Sequence, residues 1–220
     1  MLPEFKDSLL LKTALTHRSS LNEGISPASE SNERLEFLGD AILELATTEF
    51  LFEKFPSEPE GVLTAYRSSL VKTTTLAEVA QELNLGQKLY MSKGEEATGG
   101  RNNPGLLADT TEAIIGAIYL DQGYEATKKF LKENLFNKFD QIKEQKLYQD
   151  SKSLLQEIVQ SKGFEAPVYK VTKEDGPDHD KKFTIEVLVN SKPTGTGVGK
   201  SKQLAQQAAA QEALDKLANT

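Results

Sequence analysis

The hydrophobic pattern of this chain changes near residue 150, and the change restricts the folds that the chain can adopt. Before that point, apolar residues recur every three or four positions, as in amphipathic helices, and no alternating pattern of strand length occurs. After it, alternation does occur and is strict from Phe183 to Val189. We therefore predict an all-α domain at 1–145, a linker at 146–150 and a second domain at 151–220.

The second domain has the predicted order α-β-β-β-α. Turn residues separate its strands, notably Gly176-Pro177 and the segment from Asn190 to Pro193. The predicted elements are a helix at 151–161, strands at 168–172, 183–189 and 194–199, and an Ala-rich helix after Lys200-Ser201-Lys202. About 70 residues in this order are enough for one small α+β domain.

The first domain contains an apolar helix that carries acidic side chains. Glu33, Glu36 and Asp40 are spaced at i, i+3 and i+7, so they share one side of a helix predicted from Asn32, its N-cap, to about Phe55. Another side is apolar and is expected to face the core: Leu35, Leu38, Ile42 and Leu45. Like charges on one stripe do not stabilise a helix, and a solvated acidic face is the ordinary explanation for such a stripe.

A second acidic pair favours a metal site over that explanation. Asp109 and Glu112 interrupt an apolar helix predicted from Leu106 to Leu120, again at i and i+3. Packing of the two helices could bring the acids together, and a buried cluster of carboxylates needs a cation. Oxygen ligands without cysteine or clustered histidine indicate Mg²⁺ or Mn²⁺. Glu60 is a further acid that we expect near the rim.

Three other segments of the first domain are less specific. His17 follows a short helix predicted from Leu9 to Leu15, and a single histidine there is more often structural than catalytic. The polar segment from Lys93 to Gly105 predicts a long surface loop. One continuous helix is predicted from Tyr124 to Lys143.

Composition excludes several classes of protein. The chain has no cysteine, which excludes disulfide frameworks, thiolate metal sites and cysteine nucleophiles. No apolar run approaches the roughly 20 residues of a membrane helix, and we find no export signal, so we expect a cytoplasmic protein without a membrane partner. The net charge of −7 arises in the first 149 residues, where 16 basic residues face 23 acidic ones. An acidic metal site would produce this excess, and so would an ordinary helical domain.

The second domain resembles a double-stranded-RNA-binding domain. The resemblance rests on Leu154-Leu155-Gln156-Glu157, Gly176-Pro177-Asp178-His179, the segment Gly195 to Lys202, and Ala208-Ala209. It implies minor-groove contacts from Gln156 and His179, and phosphate contacts from Lys200 and Lys202 across the intervening major groove. The two lysines also precede a helix, whose dipole favours anions at that end. Taken singly, each of these residues is an ordinary exposed side chain.

Together, the two domains resemble bacterial ribonuclease III. The motifs are Asn32 to Asp40, Asp109-Thr110-Thr111-Glu112 with its following apolar run, and Leu15-Thr16-His17-Arg18-Ser19. The resemblance implies a Mg²⁺-dependent endoribonuclease, with Mn²⁺ as a substitute, that hydrolyses double-stranded RNA. It implies 5′-phosphate and 3′-hydroxyl ends with a short 3′ overhang. The expected task is processing of ribosomal RNA precursors and other structured transcripts, without an organic cofactor.

The resemblance also assigns roles to individual residues. The metal-binding catalytic carboxylates would be Glu36, Asp40, Asp109 and Glu112, the auxiliary acids Glu33 and Glu60, and the residue that packs into the partner subunit of a homodimer Phe37. An ordinary core aromatic is the alternative for Phe37. Thr111 stands where a large apolar residue is usual, and Gln203 where a lysine is usual. These departures predict different packing of the second acidic helix and one phosphate contact fewer.

Two other functions fit parts of the sequence. The first is a double-stranded-RNA-binding dimer without catalysis, which loss of the acids would favour, although all four are present. The second is a metal-dependent hydrolase of small phosphoesters, which would not need the second domain. Cleavage of a long duplex separates the nuclease from both.

Overall fold

The helical periodicity of the first part of the chain produces helices throughout it. The computed structural model describes residues 1–144, 151–177 and 181–218, and the chain divides into two compact units, Met1–Tyr148 and Gln149–Thr220. The α-helices of the first unit within these residues are α1 (Ser8–Ala14), α2 (Arg18–Leu21), α3 (Glu33–Lys54), α4 (Glu60–Val71), α5 (Thr73–Glu82), α6 (Leu85–Lys88), α7 (Lys93–Ala97), α8 (Pro104–Gln122), α9 (Tyr124–Asn134) and α10 (Phe139–Glu144). The predicted linker at 146–150 lies outside the described residues.

The two helices with the acidic residues, α3 and α8, form the centre of the first unit. They cross at Gly39 of α3 and Gly116 of α8. A Cβ atom on Gly39 would overlap the backbone carbonyl of Glu112, and one on Gly116 would overlap that of Leu35. Because neither residue has a side chain, the two backbones lie in direct contact. This contact brings the acid-bearing turns of α3 and α8 together.

The apolar side of α3 differs from the prediction at one position. Leu45, predicted to lie in the core, is 53% exposed, and Phe37 and Phe52 are 81% and 71% exposed. Spacings of eight and seven residues keep these three side chains on one side of a helix, and we call them the α3 stripe. The core side of α3 consists of Leu35, Ile42, Leu43, Ala46 and Leu51, with Leu38 partly buried. The predicted positions of Leu35, Leu38 and Ile42 on the core side of α3 are therefore confirmed.

The polar segment from Lys93 to Gly105 is not a loop throughout. It contains α7 and a 3-10 turn at Gly100–Asn102. Arg101 links this segment to residues 86–89, since its guanidinium donates to the carbonyl oxygens of Gly86 and Leu89 at 2.8 and 3.1 Å. Side-chain hydrogen bonds to the backbone can order a polar segment that has little apolar surface to bury.

The helix predicted from Tyr124 to Lys143 is interrupted. It is divided into α9, a 3-10 turn at Phe136–Lys138, and α10. The interruption coincides with aromatic packing, because the rings of Phe136 and Phe50 stack with centroids 4.3 Å apart. Such contacts stabilise by more than the burial of apolar area alone.

The second unit is an antiparallel sheet of order β1-β2-β3 with helices packed against it. Its elements are α11 (Ser151–Ser161), β1 (Val168–Asp175), β2 (Lys182–Val189), β3 (Lys192–Gly199) and α12 (Lys202–Ala218). The alternation in β2 is confirmed, since Ile185, Val187 and Val189 are buried in the core. The predicted fold class, an all-α unit followed by an α-β-β-β-α unit, is therefore confirmed.

Alternating glycines in β3 let the Ala-rich helix α12 approach the sheet. A Cβ atom at Gly195, Gly197 or Gly199 would overlap the backbone of α12. The facing residues of α12 include Ala205 and Ala209, which are fully buried. The two small-residue patterns therefore form one packing interface, which fixes the start of α12 against the end of β3.

Candidate active site

Three of the four predicted metal-binding carboxylates converge between α3 and α8. Glu36, Asp109 and Glu112 each offer one oxygen atom, and these atoms lie within 4.8 Å of one another. Oxygens on opposite sides of a Mg²⁺ ion lie about 4 Å apart, so a small closure of this cluster would fit such an ion. All three side chains are partly buried. Their donor set consists of carboxylate oxygens, which Mg²⁺ prefers over the nitrogen and sulfur ligands of zinc.

Asp40 lies close to this cluster. It is exposed, one turn after Glu36 on α3, and its charge raises the pKa of both Glu36 and Glu112. The position leaves Asp40 at the solvent side of the cluster, whereas the other three acids are partly buried. The four acids thus share one electrostatic site.

Three carboxyls of the cluster have raised pKa values. Burial, followed by the charges of Asp40, Asp109 and Glu36, raises the pKa of Glu112 to about 7. Burial also raises the pKa of Glu36, with added repulsion from Asp109, and burial raises the pKa of Asp109. Carboxylates that resist ionisation together need positive charge to hold them ionised. The residues present therefore fit a divalent cation.

We expect Mg²⁺ to bind more tightly as the pH rises towards 7. Below its pKa of about 7, Glu112 carries a proton that must leave before it can bind a metal. One proton released predicts affinity rising up to about tenfold per pH unit, with a plateau above pH 7. A raised pKa in the folded state also means that the metal-free protein loses stability as the pH rises from about 4.5 through 7.

Thermal unfolding with and without MgCl₂ measures both effects. Mg²⁺ should raise the unfolding temperature more at pH 8 than at pH 5.5. NaCl at matched ionic strength is the control for screening. Equal stabilisation at the two pH values would contradict the assignment of Glu112 as a ligand.

The cluster opens into a cavity of about 410 Å³. Glu36 and Asp109 line this cavity together with Glu33, His17 and Arg18. Glu33 is exposed and accepts a hydrogen bond from the Ser31 hydroxyl at 2.8 Å. The predicted auxiliary acid Glu33 therefore lies at the rim of the candidate site.

Glu60 lies elsewhere within the same chain. It begins α4 and lines a separate cavity of about 440 Å³ beside Phe52 of the α3 stripe. Phe52 lies sixteen residues after Glu36 on α3, which corresponds to roughly 24 Å along the helix. Within one chain, therefore, the expectation that Glu60 lies near the rim of the acidic site is wrong.

Two further residues of the site differ from expectation. Asn32 precedes α3, but its side chain makes no capping hydrogen bond, while its backbone N–H donates to the Thr16 carbonyl at 2.8 Å. Thr111 is buried, with its hydroxyl 3.1 Å from the carbonyl oxygens of Leu76 on α5 and Leu107 on α8. The hydroxyl of Thr111 thus joins α8 to α5 by a hydrogen bond where an apolar side chain would only pack.

In the second unit, the predicted RNA-contacting residues that the structure describes, Gln156, Lys200 and Lys202, are exposed. Gln156 is exposed on α11 and lines a cavity of about 240 Å³ together with Gln203 of α12. Lys200 is exposed just before α12, whereas the Lys202 ammonium lies 3.3 Å from a carboxylate oxygen of Glu174. His179 lies outside the described residues.

Comparison with known proteins identifies both units. The family model described as Ribonuclease-III-like matches residues 7–139, and that of the double-stranded RNA binding motif matches residues 151–217. Relatives named Ribonuclease 3 from Geobacillus sp. (strain WCH70) and Natranaerobius thermophilus are 47% and 45% identical. The alignments cover 97% of this chain and 86% and 92% of those proteins. The chain belongs to the ribonuclease III family.

Solved structures agree with this membership of the ribonuclease III family. The nuclease domain of ribonuclease III from Campylobacter jejuni matches with a TM-score of 0.54 and 47% identity, over 59% of this chain and 84% of that one. Dicer from Pichia stipitis matches with a TM-score of 0.50 and 29% identity, over 97% and 96%. The predicted class of enzyme, a ribonuclease III-type endoribonuclease, is confirmed. Across the described parts of the chain, no helix combines the length and apolar character needed to cross a membrane.

Proposed function

We propose that this protein hydrolyses phosphodiester bonds of double-stranded RNA in a Mg²⁺-dependent reaction. The observation that carries the proposal is the convergence of Glu36, Asp109 and Glu112 in a half-buried cluster, with Asp40 beside it. The chain also contains a double-stranded RNA binding motif, which supplies a means of holding the duplex. The same proposal includes processing of ribosomal RNA precursors and other structured transcripts. A cytoplasmic location stays a prediction.

In this mechanism the four carboxylates would hold the metal, and α3 and α8 would hold the carboxylates in position. A bound Mg²⁺ ion, with Mn²⁺ as a substitute, would stabilise negative charge on the reacting phosphate and lower the pKa of water. Glu112 would give up its proton as it becomes a ligand. Because the site is partly buried, its charges act on the phosphate through less solvent than charges on an open surface.

Water would be the nucleophile, so no side chain needs to form a covalent intermediate. The absence of cysteine from the sequence agrees with this route. In-line attack that expels the 3′-oxygen would leave 5′-phosphate and 3′-hydroxyl ends. Glu33, at the rim of the cavity, would act as an auxiliary acid by orienting solvent.

A homodimer built on the α3 stripe would give each active site a place in a shared cleft. Leu45 lies near the middle of the stripe, so a two-fold axis there would run two α3 helices antiparallel. Phe37 would then meet the partner at Phe52, where Leu51 and Leu63 line the cavity of about 440 Å³. An exposed apolar stripe of this kind is typical of an interaction surface.

The same arrangement would explain the position of Glu60. This residue lines the cavity that would receive Phe37 of the partner subunit. Glu60 would therefore stand beside the acidic cluster of the other chain, although it is remote from its own. The nuclease domain of ribonuclease III from Campylobacter jejuni, 46% identical in a second solved structure, shows structural flexibility in a region involved in dimer formation. Two symmetry-related sites on opposite strands would produce the short 3′ overhang.

Replacing Phe37 by aspartate should convert the dimer into a monomer. The substitution puts a charge where the apolar side chain would enter the partner's cavity, and burying an unpaired charge is strongly unfavourable. Sedimentation velocity would show the expected halving of mass. Phe164→Asp is a matched control, because Phe164 is an exposed phenylalanine of the second unit. A Phe37→Asp protein that sediments like the parent would rule out the α3 stripe as the dimer interface.

The RNA-binding lysines should contribute unequally. Lys202 already has a counter-charge in Glu174, whereas Lys200 is exposed at the turn before α12. We expect Lys200→Ala to weaken duplex binding by about three- to tenfold and to reduce the salt dependence by about one counterion. Lys202→Ala should have a smaller effect, because Lys202 must give up its ion pair with Glu174 before it can contact a phosphate. Filter binding in Ca²⁺ over a range of salt measures both, with the exposed Lys192→Ala as a control. Equal losses at the two lysines would contradict this ranking.

Incubation with a long RNA duplex tests the proposed function. With Mg²⁺ the products should be short duplexes with 5′-phosphates and 3′ overhangs, and without divalent cations the RNA should stay intact. Matched single-stranded RNA and a small phosphodiester are the controls for substrate class. Binding of the duplex without cutting would favour the non-catalytic alternative.

A further inference from the structure

We infer that His17 is a further residue of the cleavage site, whose Nε2–H group donates a hydrogen bond to a non-bridging phosphate oxygen of the strand being cut. This inference rests on the proposed function. His17 lines the same cavity as Glu36 and Asp109, and its side chain is partly buried. The imidazole is close enough to Asp109 to oppose the rise in the pKa of that carboxyl.

The backbone around His17 is firmly held. The His17 N–H donates to the Tyr90 carbonyl at 2.9 Å, and the Tyr90 N–H donates to the Leu15 carbonyl at 2.8 Å. The His17 carbonyl accepts the Ser20 hydroxyl at 2.8 Å. A side chain on such a backbone has few orientations, which is what a group that positions a substrate requires.

Hydrogen bonds to Nδ1 select one tautomer of His17. The Ser92 N–H donates to the Ser19 hydroxyl oxygen at 3.0 Å, so the Ser19 hydroxyl can give its own hydrogen to Nδ1, which lies 2.8 Å away. The Ser19 N–H also points to Nδ1 at 3.4 Å. With Nδ1 as an acceptor, the proton of the neutral ring is on Nε2. Nε2–H is then the remaining polar group of the imidazole, and it is a donor.

A purely structural role explains the position of Nδ1 of the imidazole but not that of Nε2. His17 caps the amino end of α2 through Nδ1, but Ser, Thr, Asp and Asn are the preferred residues for that task. Capping uses none of the properties of Nε2. A donor on a ring that lines the acidic cavity is therefore unexplained by the fold alone.

The chemistry of the cavity favours a phosphate oxygen as the acceptor. Under the proposed function, the group that must enter a cavity lined by Glu36 and Asp109 is an RNA phosphate. A neutral N–H donor can bind that phosphate without repelling a divalent cation held by the acids. The positive charge of a lysine or arginine so close to the acids would instead compete with the cation for them. Arg18 lines the same cavity but is paired with Glu33 at 3.6 Å.

The tautomer can be measured without reference to activity. The chain has only two histidines, His17 and His179, so ¹⁵N-histidine labelling gives two imidazole spin systems. A His179→Gln variant assigns them. In the full-length, metal-free protein at pH 8 we expect the His17 ring to be protonated at Nε2 alone. A ring protonated at Nδ1, or an even mixture of tautomers, would overturn the inference.

His17→Asn tests the role of the donor in cleavage. Asparagine retains a side-chain oxygen that can cap α2, but it lacks Nε2–H. Loss of one hydrogen bond to a charged group predicts a fall of about 10- to 100-fold in the single-turnover rate with saturating duplex. The Mg²⁺ concentration that gives half the maximal rate should change by less than about twofold, since the substitution leaves the proposed metal ligands unchanged.

Two further variants separate this role from a structural one. Asn22→Ala changes an exposed residue at the other end of α2 without touching the imidazole or its turn, and it should cleave like the parent. Ser19→Ala keeps the imidazole but removes the shorter of the two hydrogen bonds to Nδ1, and it should lose part of the rate together with the strong preference for one tautomer. A His17→Asn protein that cleaves within twofold of the parent, or that regains the full rate at high Mg²⁺, would overturn the inference.

If His17→Asn does not fold, Ser19→Ala still decides the matter. An unchanged cleavage rate in a Ser19→Ala protein whose His17 tautomers are mixed would then overturn the inference about His17. Failure of the proposed function would look different, because the parent itself would not cut duplex RNA.

Discussion

Glu112→Gln should reduce the cleavage of double-stranded RNA by a factor of about 10³ or more, while RNA binding in Ca²⁺ is preserved. Glutamine has the shape of glutamate, but its amide cannot supply the negative charge that a metal requires. Burial, and then repulsion from the neighbouring acids, raises the pKa of Glu112 to about 7, so its replacement removes a member of the cluster that is hard to ionise without a cation. Rates should be measured under single-turnover conditions, with affinity measured separately.

Thermal stability gives a second, opposite readout for this variant. At pH 8 and without metal, the parent holds several like charges together, and Glu112→Gln removes one of them. The unfolding temperature of the metal-free variant should therefore equal or exceed that of the parent, although its activity is lost. Glu78→Gln is the matched control, because Glu78 is an exposed acid on α5, and it should cut normally. A Glu112→Gln protein that retains more than a tenth of the parental rate would show that the metal ligands are assigned wrongly.

Gly39→Ala should damage both the fold and the active site. The added methyl group would overlap the backbone carbonyl of Glu112. Because this carbonyl belongs to the backbone of α8 and the methyl group is attached to the backbone of α3, the two helices would have to move apart. Overpacking of this kind costs about 1–3 kcal/mol, and a contact with backbone belongs at the upper end. For a chain of this size, about 3 kcal/mol corresponds to a fall of roughly 6–12 °C in the unfolding temperature.

The loss of Mg²⁺ affinity distinguishes this mechanism from simple destabilisation. Since Glu36 lies on α3 and Glu112 on α8, separating the helices should enlarge the cluster and weaken metal binding below the unfolding transition. Gly61→Ala is the control: it lies in α4, a Cβ there meets no atom within 4 Å, and alanine has the better helix propensity. A Gly39→Ala protein as stable as Gly61→Ala would contradict the close contact of α3 and α8.

Much of the fold and of the acidic site follows from local patterns. Period and spacing predicted α3, α8 and the strands of the second unit, because each pattern reflects which side of an element is buried. The same spacing placed Glu36, Asp109 and Glu112 together, since the i, i+3 pairs interrupt two long helices that each have an apolar side. The boundaries of these elements were close to those observed.

Features that depend on tertiary contacts were not predictable in this way. Leu45 fits the apolar pattern of α3 but lies outside the core, because a periodicity cannot distinguish a buried side from one that is left exposed. Glu60 begins α4, shortly after the C-terminal end of α3, whereas Glu36 lies near the N-terminal end of that long helix. His17 was ambiguous because Ser92, which donates to its hydrogen-bond partner Ser19, is 73 residues from Ser19 in the chain.

The origin of the carboxylates in two different helices has a mechanical consequence. A cation that binds Glu36 of α3 and also Asp109 and Glu112 of α8 links the two central helices of the first unit at a second point, beyond the contact at Gly39 and Gly116. Local opening of either helix end would then require release of the ion. The metal would thus act as a removable cross-link, so that the loaded enzyme presents a stiffer cleft to its substrate than the empty one.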